Sequence, residues 1–237
     1  NSRDVVDMLK LRASFGTSGN QRVNNAQYSA LNLYRNLYRS GSGYNGTNST
    51  VPAQIAYTGL RWEEMQQSNI GVDFGFWGNK LSGSVDVYKK LTTDLFQSTP
   101  ISPINATSSI DTNIGAMQNQ GLEVTLKYVV FKNDEWRVSV NGNTSYNKNK
   151  IRELPASYEG IVFGGGSSAL IEGSQINTFY VVKYAGVNPS NGNPLFYTAD
   201  GGLTETLSDA DRVDTGKSIY PVWQGGFGTS VNYKGFE

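Results

Sequence analysis

The chain has 237 residues with 20 basic and 20 acidic groups, so its formal charge is zero and no basic face or acidic tail points to nucleic acid. Cysteine and histidine are both absent. That excludes a disulfide framework, thiol chemistry, and the commonest general base and metal ligand, so neither an enzyme nor a cofactor is expected.

The first element is a strand. Leu9, Leu11, Ala13 and Phe15 alternate with Lys10, Arg12 and Ser14, and a period of two is the strand signal. Residues 1–10 carry no basic start followed by an apolar run, and the expectation is a chain that begins inside a longer protein. Residues 16–59 are polar, rich in Asn, Ser, Gly and Tyr, without a sustained period, and are expected to form a long loop. Tyr28, Tyr34, Tyr38, Tyr44 and Tyr57 crowd it. Aromatic faces of this kind stack on sugars or pack against a partner; packing within the loop is the plainer alternative.

Residues 61–96 hold a long hairpin. Ile70, Val72, Phe74 and Phe76 alternate with Asn69, Gly71, Asp73 and Gly75. After Trp77, Gly78, Asn79 and Lys80, the apolar Leu81, Val85 and Val87 alternate with Ser82, Ser84 and Asp86. Pairing Trp77 with Lys80 sets Phe76 opposite Leu81, Val72 opposite Val85 and Ile70 opposite Val87. One face is then apolar and the other polar or small, and a slip of one residue destroys the match. Both arms run past the roughly 5–6 residues usual in soluble sheets and reach the about 9–11 that a tilted membrane-spanning strand needs. A soluble extracellular β-sandwich that binds carbohydrate has the same alternation, and periodicity alone does not separate the two.

Residues 97–113, marked by Pro100 and Pro103, are expected to form a second loop. Leu122, Val124, Leu126, Tyr128 and Val130 then oppose Glu123, Thr125 and Lys127; a tight turn at Lys132, Asn133 and Asp134 leads back through Trp136, Val138 and Val140, with Arg137, Ser139 and Asn141 on the other face. Within 151–220, residues 178–185 are expected to form a strand returning through 195–198, a hairpin inside a loop. A last strand carries Trp223, Phe227, Val231 and Tyr233, and Lys234 and Gly235 begin another turn before Phe236.

The connections favour the membrane. Tight turns fall near Gly78, Asn133 and Gly235 and long loops fall between the hairpins, the asymmetry of outer-membrane barrels with short periplasmic turns and long extracellular loops. The expected fold is therefore all-β, six strands of a transmembrane antiparallel β-barrel. Open edges are not tolerated in hydrocarbon, so the chain is expected to be a slice, residues 1–237, of a larger barrel. Ile70, Val72, Phe74, Phe76, Leu122, Val124 and Leu126 are expected to meet lipid. Lys10, Arg12, Asp73, Asp86, Glu123, Lys127 and Arg137 are expected to face a lumen or plug. Trp77, Phe131, Trp136, Tyr233 and Phe236 gather at the tight-turn ends as a periplasmic aromatic girdle.

Other motifs are weak. Gly164, Gly165 and Gly166 lack the strand-to-helix setting of a phosphate cradle. Asp209, Asp211 and Asp214 do not match a calcium loop. Glu63 and Glu64 are neighbours in a strand and point to opposite faces.

Several stretches, taken in order, resemble one family. They are LKLRASFGTSGNQ at 9–21; Trp62 and Glu63 followed by Asn69, Gly71 and Asp73; GSVDVY at 83–88; Thr93, Asp94 and Leu95; Asn113, Ile114 and Gly115 with Asn119, Gly121, Leu122 and Glu123; NGNTSYNKNK at 141–150; Ala185 to Asn188 with Gly192; and Gly225 and Gly226 through Tyr233 and Lys234. Together they resemble the later barrel region of SusC/RagA-type TonB-dependent transporters of the Bacteroidota outer membrane. Val181 and Val182 depart from it, standing where the family more often has a glycine and an aromatic. The resemblance implies a large plugged barrel in the bacterial outer membrane. It also implies import of oligosaccharides or peptides beneath a SusD-like lipoprotein, with TonB acting through a plug region outside this chain.

Overall fold

In a computed structural model, residues 5–21, 33–102, 104, 109–155, 158, 162–163 and 166–236 are described. In chain order the strands are β1 (Val6–Asn20), β2 (Leu37–Ser42), β3 (Asn48–Gln54), β4 (Glu63–Phe76), β5 (Leu81–Thr93), β6 (Phe96–Pro100), β7 (Ser109–Asn113), β8 (Ala116–Lys132) and β9 (Trp136–Glu153). After them come β10 (Val162–Phe163), β11 (Ser168–Ala169), β12 (Thr178–Val181), β13 (Tyr184–Val187), β14 (Pro194–Tyr197), β15 (Leu203–Thr204), β16 (Val213–Ser218) and β17 (Trp223–Tyr233).

Six of them form the wall: β1, β4, β5, β8, β9 and β17, in that order and antiparallel throughout. The hairpin register is the one the alternation demands, with Phe76 opposite Leu81, Val72 opposite Val85 and Ile70 opposite Val87. The apolar row Leu11, Val72, Val85 and Val124 crosses four strands, and Arg12, Gly71, Asp86 and Glu123 follow on the other face. The expected lipid-facing and lumen-facing sets thus lie on opposite faces. The sheet does not close; β1 and β17 are its edges.

Among the described residues, no second sheet lies over the apolar face. Leu11 is 72% exposed, Ile70 59% and Phe227 96%. A sandwich would bury these positions between two sheets. The turns agree. β4–β5, β8–β9 and the turn after β17 lie at one end of the wall, and every long connection lies at the other. Asn133 shapes the second turn, its Oδ1 accepting from the amides of Glu135 at 3.0 Å and Trp136 at 2.6 Å. The third has Lys234 and Gly235 both at positive φ, the twist a two-residue hairpin turn requires.

Two aromatic pairs bound the apolar face. Trp136 and Tyr233 stand 4.3 Å apart between ring centres at the tight-turn end, and Tyr146 and Trp223 stand 4.9 Å apart toward the loops. Each strand places its two aromatics ten residues apart. At about 3.4 Å per residue and a tilt of about 45° this is about 24 Å across, matching the about 25 Å apolar band of an outer-membrane barrel. Immediately beyond the upper pair the same face turns polar, with Ser68, Lys89, Gln120 and Lys148 in register.

Three expectations need correcting. The first strand runs to Asn20, and the segment after it contains the β2–β3 hairpin. The second loop contains the β6–β7 hairpin, which prolongs β5 and β8 beyond a bend at Asp94. Residues 178–185 are not one strand. β12 pairs with β16, while β13 pairs with β14 and β14 with β15. No glycine or proline interrupts these residues, but their two ends answer to different partners, which periodicity does not register.

Candidate functional site on the polar face and outer loops

The polar face is built around Arg12. Its Nε and Nη2 donate to both carboxylate oxygens of Asp73 at 2.9 Å, and Nη2 also donates to Asp86 Oδ2 at 2.9 Å. Asp86 is two strands away, and the guanidinium reaches it by crossing β4 over Gly71, the residue in register between them. A Cβ at Gly71 would overlap Asp86 Oδ1 and fall 2.9 Å from Arg12 Nη2. The device is repeated two strands along. Tyr88 crosses Gly121 and its hydroxyl donates to Asn147 Oδ1 at 2.9 Å. A Cβ at Gly121 would lie 2.6 Å from the Tyr88 hydroxyl. Glycine in a strand interior here marks a close approach by a neighbour's side chain.

Of the seven residues expected on this face, Arg12, Asp73 and Asp86 are thus brought together. Glu123 lies beside Asp86 in register. Among the described residues, Lys10, Glu123, Lys127 and Arg137 form no ion pair. Two oxygens on the face have no donor, Oδ1 of Asp86 and Oδ1 of Asn69. The arrangement is a wall of fixed dipoles and unpaired charges around one ion-paired cluster, suited to hydrogen bonding. Its tyrosine, asparagine and glycine crossing was not read from the sequence. The available signal was a glycine in register between two long polar side chains.

The outer loops are anchored to this wall. Asn113 binds the Arg61 backbone in both directions, accepting from its amide at 2.7 Å and donating to its carbonyl at 2.9 Å, and donates to the Asp94 carbonyl at 2.8 Å. Glu63 caps the same corner, accepting from Asn20 at 2.6 Å and the Phe96 amide at 3.0 Å, whereas Glu64 accepts from Gln66. The segment after β11 docks along β9, where the Ile151 amide donates to the Ser174 carbonyl and Asn149 Oδ1 accepts from the Ile176 amide.

Asp214 ties that segment to the β12–β16 pair, accepting from the Ser174 and Thr178 hydroxyls and the Gly216 amide. Burial pushes its carboxyl up, but the three donors outweigh burial and hold it below its usual value. Asp209 pairs with Arg212 and Asp211 accepts from the Ala199 amide, so the three aspartates serve separate local bonds. In the turn between β13 and β14, the side-chain amides of Asn193, Asn191 and Asn188 all donate to Glu205 and keep its carboxylate below its usual range.

Of the five loop tyrosines, Tyr28 lies outside the described residues. Tyr34, Tyr38 and Tyr44 are exposed, with Tyr44 in the tip of the β2–β3 hairpin and Arg35 over the Tyr34 ring. Tyr57 turns its ring toward Gly59. Gly164 and Gly165 are also outside the described residues. At the tight-turn end Trp136 and Tyr233 stack, Trp77 lies 5.8 Å from Phe76, and Phe236 forms a bridge with Tyr233. Phe131 follows a bulge in β8 and sits opposite Val138.

Comparison with known proteins accounts for this architecture. Residues 4–236 match the family described as TonB dependent receptor-like, beta-barrel. TonB-dependent receptor P39 of Formosa agariphila is 35% identical over 211 residues, covering 89% of this chain and 19% of that protein. TonB-dependent receptor SusC of Bacteroides thetaiotaomicron is 28% identical over 253 residues, covering 99% of this chain and 24% of SusC. Among solved structures, the RagAB peptide transporter superposes with a TM-score of 0.81 at 27% identity, over 98% of this chain and 26% of that one. The chain thus spans about a fifth to a quarter of these relatives. It belongs to the β-barrel family of TonB-dependent receptors, with SusC and RagA among its relatives, and its strands are part of a barrel wall in the outer membrane.

Proposed function

We propose that this chain supplies wall strands and extracellular loops to a TonB-dependent importer of oligosaccharides or peptides that works with a SusD-like surface lipoprotein. TonB acts through a plug region of the whole protein. The apolar face meets lipid. The face carrying Lys10, Arg12, Asp73, Asp86, Glu123, Lys127 and Arg137 meets plug or solute.

The observation that carries this reading is the segregation of the connections. All long ones, with the exposed Tyr34, Tyr38 and Tyr44, stand at one end above a polar wall centred on the Arg12 cluster. Mixed charge on that wall suits a hydrogen-bonding solute or plug better than an ion. The family supports transport, and the structurally similar RagAB complex is a peptide importer. The test uses the full-length protein in its own outer membrane. Labelled oligosaccharides and short peptides are offered to cells with and without TonB, and the purified transporter is examined for a bound lipoprotein. TonB-dependent uptake of one class, with a lipoprotein in stoichiometric amount, is the expected result. Uptake of neither class would overturn the importer reading, and a transporter pure without lipoprotein would overturn the partnership.

A further inference from the structure

On the apolar side of the wall, immediately above the Tyr146–Trp223 pair, the rows become basic. Lys89, Gln120 and Lys148 stand in one row across β5, β8 and β9, and Gln118 and Lys150 stand side by side in the next. The alternation puts all five on the face of Ile70, Val87 and Leu122, opposite the face of Arg12 and Asp86. Lys89, Lys148 and Lys150 are exposed, and among the described residues none of the three forms an ion pair. Gln118 donates to Gln120 at 2.9 Å, so the surface between the lysines is polar and uncharged. Glu64, an acid on this face, stands two rows above Ser68 and is bonded to Gln66. A groove of about 480 Å³ joins the basic row to the apolar band, and its lining includes Ser68, Ile70, Val87, Lys89, Leu122 and Tyr146.

We infer that this patch binds the phosphorylated sugar headgroup of a glycolipid in the extracellular leaflet of the outer membrane. The inference rests on the reading that the apolar face meets lipid and the long connections lie outside. With strands about 4.8 Å apart and alternate residues about 6.8 Å apart, Lys89 and Lys148 flank β8 at about 10 Å and Lys150 follows about 7 Å above Lys148. Three ammonium groups on flexible stems can converge across that span on one phosphate as point charges. The glutamines between them suit sugar hydroxyls, and the groove below offers an acyl chain apolar surface. The depth fits as well. Aromatic rings sit at headgroup level in a membrane interface, and the lysines begin one row, about 5 Å, above Tyr146 and Trp223. Basic groups near a membrane surface attract anionic lipid in this way. The register sets the patch on the opposite side of the sheet from the polar face, apart from the solute path.

The test titrates lipid A onto the full-length protein in detergent, read by native mass spectrometry. Phosphorylated lipid A is compared with the same lipid after dephosphorylation, and inorganic phosphate is a separate arm. Wild type should bind the phosphorylated form more tightly. K89Q/K148Q/K150Q should bind it about 100-fold more weakly, since each basic group near an anionic surface contributes about fivefold. K89R/K148R/K150R should keep the preference. K90Q is the control, because Lys90 is the next residue of β5 but lies on the opposite face, in register with Gln67 and Asn119. K89Q alone should lose about fivefold and K90Q nothing. Equal binding of the two lipids by wild type, or equal affinities of K89Q and K90Q, overturns the proposal. Displacement of the lipid by inorganic phosphate overturns it in favour of a free anion. The lipid face is read separately by the assembly of Val124→Arg, so failure of the lipid titration leaves that reading standing.

Discussion

Gly71 lies beneath the guanidinium of Arg12, and the absence of a side chain there lets Arg12 reach Asp86 on the far side of β4. Any Cβ at this position overlaps the Asp86 carboxylate. Gly71→Ala should therefore separate Arg12 from Asp86 and destabilise the wall by about 1–3 kcal/mol, the usual range for overpacking. Gly16→Ala in β1 is the control, because a Cβ there meets nothing within 4 Å. The midpoint of unfolding of the full-length barrel, followed by its heat-modifiable band, should fall for Gly71→Ala and not for Gly16→Ala. Equal midpoints would remove the crossing from any account of the wall.

The two faces predict opposite responses to charge. Val124 lies in the middle of the apolar rows, and Thr125 points to the polar face beside Ser84 and Asn143. Val124→Arg should weaken assembly by about 2–4 kcal/mol, the cost of arginine on a lipid face near the midplane. Thr125→Arg should assemble nearly as well as wild type. The yield of heat-modifiable protein in the outer-membrane fraction compares them, and tolerance of both arginines would contradict a lipid face at Val124.

The wall was legible in the sequence because both of its faces leave a mark. The alternation through Ile70, Val72, Phe74 and Phe76 fixes which residues of β5 stand opposite, and the structure has that pairing. The upper aromatic belt was harder to see. Tyr146 sits inside a continuing strand, and only its registration with Trp223 reveals a boundary. The outer hairpins left little pattern. β2 and β3 are short, contain Gly41 and Pro52, and have no uniformly buried face. The Arg12–Asp86 bridge depends on the register of three strands at once, which no single alternating run contains.

Asn113 belongs to a motif visible in the sequence, and its role is mechanical. It ties the approach to β4 to the bend between β5 and β6 through three hydrogen bonds. Asn113→Asp keeps the acceptor for the Arg61 amide but loses both donors. Each lost bond should cost about 1 kcal/mol locally. Faster amide exchange at residues 61–63 and 95–96, with the central wall unaffected, is the expected result. Unchanged exchange there would mean the bend holds without its side-chain tie.

Asp214 gives the outer loops a dependence on pH. Burial raises its carboxyl pKa, but donation from Ser174, Thr178 and the Gly216 amide wins, and the folded value lies below the ordinary 3.8. A depressed folded value means the unfolded segment binds the proton more readily. The stabilisation is therefore fully present well above pH 3.8 and is lost as pH falls below that value through the folded one. Protonation weakens the acceptor for Thr178, which is fully buried. Amide exchange in β12 and β16 should accelerate in that acid window while β4, β5 and β8 stay protected. Asp214→Ala should give the open behaviour at neutral pH, because it removes the acceptor of the Ser174 hydroxyl and the Gly216 amide and leaves the Thr178 hydroxyl only the Lys217 carbonyl, each lost bond costing about 1 kcal/mol. Its exchange in β12 and β16 should then no longer change across the window. A wild-type profile that is flat through the same range, or an Asp214→Ala profile that still steps, would place the acid response elsewhere in the loops.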